Sequence, residues 1–89
     1  MITIEHRHGQ SMDIARAAVE IVAQKLEQRF NAATHWENHI LHFNRSGIEG
    51  HIELLPNIVR VQAKLGIFVS IMKEAMETRI RHILAEKLP

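Results

Sequence analysis

Apolar residues recur at every second position from Trp36 to Gly66, and turn residues break the alternation at short intervals. A period of two places successive side chains on opposite faces of a sheet, so this stretch predicts antiparallel strands. Three two-residue turns fit the breaks: Asn38-His39, Ser46-Gly47 and Pro56-Asn57. They set a register in which Trp36 faces Leu41, Leu41 faces Ile52, Ile52 faces Val61, Leu54 faces Val59 and Ile48 faces Leu65. The same register sets Glu53 opposite Arg60 and Glu49 opposite Lys64 on the other face. A slip by one residue would destroy the apolar rows and the charge pairs together, so the two patterns support one pairing. Gly50 falls on the apolar face between Phe43 and Ala63, where a small residue lets a ring or a helix come close.

Outside this stretch the period changes. Ile2 and Ile4 alternate with Thr3 and Glu5 and predict a first strand, with His6 and His8 in phase at its end. From Ser11 the spacing becomes helical. Ala15, Val19, Val22, Leu26 and Phe30 form one stripe, with Ser11 as N-cap, Asp13 in the first turn and Asn31 as the stop. After Gly66, Ile67-Phe68-Val69 leads into a second helix with Ser70 as its cap and Met72, Met76, Ile80, Ile83 and Leu84 as its stripe. The order β-α-β-β-β-β-α, with one apolar sheet face and two single-striped helices, predicts a two-layer α+β domain over residues 1–89 with both helices on one face. The edge on which the first strand pairs is left open by local pattern.

Composition narrows the function classes. A net charge of +1 lacks the cationic surplus that nucleic-acid binding needs. The absence of cysteine removes disulfides, thiol chemistry and thiolate metal sites, and suits a cytoplasmic location. The chain opens without the pattern of a signal peptide, and no apolar run approaches the roughly 20 residues of a membrane span. A domain this short has a thin stability margin, which makes a homodimer an expectation as well.

Seven histidines raise the question of a metal. In the predicted register His35, His42 and His51 share one row across three strands of the outer face; such a row can hold a divalent ion, or can be a solvated His-rich face that responds to pH. No carboxylate is fixed beside it as a further ligand, which favours the second reading. No nucleophile elbow surrounds Ser11, Ser46 or Ser70, the four glycines form no phosphate loop, and the acids pair with bases, so the chain is not expected to be an enzyme or to carry a cofactor. Phe68, Met72, Met76 and Ile80 are either core filler or an adaptable apolar surface for a partner or ligand. Arg45 at its turn reads as incidental to the hairpin.

Several of these residues also carry a family resemblance. His8-Gly9, Ala15-Arg16, Trp36-Glu37, the block Leu41-x-Phe43-x-Arg45-Ser46-Gly47-Ile48-x-Gly50-x-Ile52, then Val59-x-Val61, Leu65-Gly66, and Lys73 with Ile80 and Leu84 together resemble the small bacterial polyhydroxyalkanoic acid system proteins, associated with polyester storage granules. Asn38-His39 stands where a Gly-Asp type of turn is usual, and Ser70-Ile71 where a proline is frequent. The resemblance implies a non-enzymatic accessory or regulatory protein that binds a granule protein or the granule surface, and it supplies no catalytic residue. The alternative expectation follows from outline alone. A last helix over a curved sheet is the shape of helix-grip folds, which predicts a ligand cavity of a few hundred Å³ between Gly50, Ala63 and that helix.

Overall fold

The computed structural model describes residues 1–89. Strand β1 (Ile2–Arg7) leads to helix α1 (Met12–Phe30). The meander follows as β2 (Ala33–Glu37), β3 (Ile40–Arg45), β4 (Ile48–Leu55) and β5 (Ile58–Leu65). A 3₁₀ turn (Ser70–Met72) then opens helix α2 (Lys73–Lys87).

The sheet is five-stranded and antiparallel, in the order β1-β5-β4-β3-β2. Each predicted turn is present, with Asn38, Gly47 and Asn57 taking the positive φ values (57°, 88° and 64°) that two-residue hairpins require. The cross-strand pairs are the predicted ones, from Trp36↔Leu41 and Leu41↔Ile52 to Ile48↔Leu65, Glu53↔Arg60 and Glu49↔Lys64. β1 joins the free edge of β5, pairing Ile2 with Ala63 and Ile4 with Val61. That choice extends the charge row, because Arg60 bonds Glu5 on one side at 3.1 Å and Glu53 on the other at 3.5 Å.

The core lies between the sheet and the helices. Ile2, Ile4, Leu41, Phe43, Ile52, Val59, Val61 and Ala63 are buried from the sheet, Ala15, Val19, Val22 and Leu26 from α1, and Met76, Ile80, Ile83 and Leu84 from α2. α1 lies across β2, β3 and β4, and α2 lies along α1 and β1, so both helices cover one face. Each end of α1 is closed. The Ser11 hydroxyl accepts from the Ile14 N–H at 3.3 Å, and Asn31 turns left-handed so that the Ala32 N–H reaches back to Leu26 O at 3.2 Å.

Two local expectations are corrected. Ser70 does not cap α2, because its hydroxyl donates to Ile67 O within the preceding turn, and Met72 stands at the helix start with no side-chain cap. Arg45 is not incidental, because its Nη1 donates to Phe30 O at 2.9 Å and places a cation at the negative end of α1.

Candidate functional site

The connection from β5 to α2 departs from the economy of the rest of the chain. Most large apolar side chains elsewhere turn inward, Met1 and Ile14 excepted, but Ile67, Phe68 and Ile71 are 82, 96 and 89% exposed. Val69, between them, does the opposite: it is half-buried, and its methyls lie 3.1 and 3.3 Å from where a Cβ on Gly47 would be. The loop is therefore fastened to the β3–β4 turn by one apolar side chain and by the Gly66 N–H, which donates to Gly47 O at 2.7 Å. Gly47 serves twice, supplying the positive φ of the turn and the open space that receives Val69.

The residues of the expected apolar surface divide. Phe68 is fully outside, and Met72 is half-buried against the core. Met76 and Ile80 are buried in the core beneath α2 and cannot take part in an outer surface. Ile67 and Ile71 stand exposed beside Phe68 in their place, and because Ile67 and Phe68 precede the helical turns, helical phase gives no sign of their exposure.

The histidine row forms as expected, with His35↔His42↔His51 in register. The rings of His35 and His42 stack with centroids 5.0 Å apart and planes 18° apart, and His42 and His51 follow at 6.4 Å. Stacked rings present faces to one another, with no shared point for their nitrogens, and His42 Nε2 lies 3.3 Å from Glu37 Oε1. No group of three His, Asp or Glu side chains is arranged to hold a metal ion. The row lies as a polar strip on the outer face.

Gly50 decides the helix-grip expectation. A Cβ there would come within 2.8 Å of Gln62 O and closer still to the Phe43 ring, so Phe43 already occupies the inner side of Gly50. The groove of about 320 Å³ that touches Gly50 and Ala63 is lined by His42, Glu49, His51, Gln62 and Lys64, which places it on the outer face. The remaining grooves lie along the outer side of α2 or at the β3–β4 turn. The expected cavity between Gly50, Ala63 and α2 is absent, because an aromatic ring fills it.

At the opposite end of the sheet, His6 meets Leu88 just past the C-terminal end of α2, and the His8 N–H donates to Asn57 O in the β4–β5 turn. His6 Nε2 donates to Leu88 O at 2.6 Å. His8 Nδ1 accepts the Gln10 N–H at 3.1 Å, which leaves the proton of the neutral ring on Nε2, and that atom is buried without a partner. Burial, reinforced by nearby His6, holds the His8 pKa below the ordinary imidazole value. A lone buried N–H with no acceptor has no evident chemical task, and His6 alone ties β1 to the end of α2. Arg16 and Trp36 form a similar tie at the β2 edge, with the guanidinium 3.9 Å from the ring centroid and its Nη1 donating to Asn38 O at 3.3 Å.

No helix is long and apolar enough to cross a membrane. A comparison with curated proteins found no match. The family model described as "Putative polyhydroxyalkanoic acid system protein" matches residues 2–88, and covers the hairpin block, the Arg16–Trp36 pair and the exposed β5–α2 connection alike. With its length matched from β1 to Leu88, the chain belongs to the polyhydroxyalkanoic acid system protein family.

Proposed function

We propose that the protein is an accessory factor of polyhydroxyalkanoate storage that acts by binding at the granule and turns over no substrate. Family membership supplies the setting, and the exposed trio Ile67, Phe68 and Ile71 is the observation that supports binding. A small soluble-sized fold gains nothing in stability from three large apolar side chains held in water, so their placement is explained by a contact they make elsewhere. Met72, half-buried beside them, borders the same surface. The ion pairs of Glu5 and Glu53 with Arg60, and of Glu77 with Arg81, lie on solvated faces, and a binding role fits that arrangement.

The test is to fractionate granules from polyester-accumulating cells that express the protein, and to count granules after its deletion. Enrichment with granules, and a changed number or size on deletion, are the expected results. A wholly soluble protein with unchanged granules would overturn the proposal.

A further inference from the structure

We infer that the β5–α2 connection docks on an anionic phospholipid surface, with the side chains of Ile67, Phe68 and Ile71 among the acyl chains and its backbone at the level of the phosphates. The inference deepens the function proposed above by naming the chemistry of the surface bound, and it rests on that function only for the place of binding.

The backbone sets the depth. Within the connection the Val69 N–H donates to Gly66 O at 3.1 Å and the Met72 N–H to Val69 O at 2.9 Å. The N–H groups of Ile67, Phe68, Ser70 and Ile71 have no partner in the protein. Carrying such donors into a phase without acceptors is strongly unfavourable. The three side chains therefore enter an apolar layer only while the peptide groups stay where acceptors are dense. A headgroup layer sets phosphate oxygens directly beside acyl chains, and meets both demands.

Charge selects the sign of that layer. Lys73, Arg79 and Arg81 border the connection from α2, and Arg45 and Lys64 border it from the sheet end that holds Gly47. The acids on the same borders are Glu49, Glu74 and Glu77. Five cations against three acids give this end +2 with histidines neutral, so the rest of the chain, whose total is +1, carries −1. Glu77 is shared between Lys73 at 3.9 Å and Arg81 at 3.2 Å, while Arg45, Lys64 and Arg79 enter no ion pair. Positive charge is thus gathered at the end that carries the apolar trio. Two net cations beside an anionic surface favour it over a neutral one by roughly thirtyfold.

Area selects lipid over a protein partner. An aromatic side chain buries about 150–250 Å² and an isoleucine somewhat less, so the trio offers roughly 500 Å². A stable protein–protein interface takes about 800 Å² from each partner. Beside the trio α2 presents mainly Ser70, Lys73, Glu74, Glu77, Thr78 and Arg81, so the apolar contact does not extend along the helix. A fluid lipid layer needs no matching recess. It also offers acceptors to the four N–H groups from every direction, which a protein partner would have to meet one by one.

The experiment sediments the purified full chain with vesicles of phosphatidylcholine alone, or of equal parts phosphatidylcholine and phosphatidylglycerol, and measures the bound fraction. The wild-type protein is expected to bind the anionic vesicles at least about tenfold better than the neutral ones, and to lose that preference as salt is added. Phe68→Ser is expected to lower binding to anionic vesicles about ten- to a hundredfold, the equivalent of one large apolar side chain. Arg79→Gln removes one unpaired cation, and is expected to lower binding to anionic vesicles about fivefold without changing binding to neutral ones. Ile14→Ser removes an exposed apolar residue on α1, near Arg16 and its bond to Asn38 at the far end of β3 from Gly47, and is expected to leave binding unchanged. Because Phe68 supports no packing, an unaltered melting temperature separates loss of contact from loss of fold. A wild-type protein that ignores both vesicles, that binds the two equally, or that is matched by Phe68→Ser would overturn the inference. Granule fractionation separates the two claims: enrichment in cells without binding to anionic vesicles ends the lipid-docking surface and leaves the proposed function standing, and the reverse result ends the function and leaves the surface.

Discussion

The β3–β4 hairpin and the β5–α2 connection lie side by side, joined where Gly66 bonds to Gly47, yet they treat apolar side chains in opposite ways. In the hairpin every inward position is filled from across the sheet, to the point that Phe43 occupies the space a side chain on Gly50 would need. In the connection three of five large apolar side chains point to water, and only Val69 and Met72 turn in. The hairpin is organised by the fold's own packing. The connection is held in place by that packing but is not consumed by it, and three of its apolar side chains are left in water.

The contrast can be broken by substitution, and the largest effect belongs to the packed side. Ile52 is fully buried at the centre of the sheet, and Ile52→Ala is expected to cost about 3 kcal/mol in urea unfolding. Gly50→Ala follows at about 2 kcal/mol, because its Cβ meets a backbone carbonyl as well as a ring and the carbonyl cannot move without disturbing β5. Arg45→Ala removes the donor to Phe30 O and the cation at the end of α1, for about 1 kcal/mol.

His8 gives a smaller, pH-dependent effect. Its folded pKa lies below the unfolded value, so the unfolded chain binds the extra proton more readily. Stability from the neutral ring is then complete above the ordinary imidazole value of about 6.5 and declines as pH falls through it. Unfolding midpoints measured from about pH 7 down to pH 5 are expected to show that decline, and His8→Leu is expected to flatten it. Phe68→Ser is expected to change stability least of all, by no more than about 0.5 kcal/mol, since its ring is 96% exposed.

The legibility of the sequence follows the same division. The meander could be read because its register is written twice, in the apolar pairs from Trp36↔Leu41 to Ile48↔Leu65 and in the charge pairs Glu53↔Arg60 and Glu49↔Lys64. β1 could not be placed by local pattern, because its pairing spans the chain from Ile2 to Ala63. One sign was available: on the β5 edge Glu5 falls opposite Arg60, which already faces Glu53. The role of Arg45 depends on Phe30 coming near only after folding, so a hairpin turn alone could not reveal it. The candidate surface was half legible. Phe68 was identified, but Met76 and Ile80 belong to the buried stripe of α2, and Ile67 lies in the loop before the helical turns, where no period applies. The cavity expected near Gly50 failed for a related reason: a small residue opposite Phe43 makes room, and the nearest ring takes it.

The central claim is that the exposed connection, and no other part of the surface, brings the protein to granules. The most direct measurement is the granule-bound fraction of the triple variant Ile67→Ser, Phe68→Ser, Ile71→Ser beside that of the unmodified protein in the same cells, with melting temperatures matched. The account predicts that the unmodified protein pellets with granules while the equally stable variant stays in the soluble fraction. A variant retained on granules as fully as the unmodified protein would contradict it.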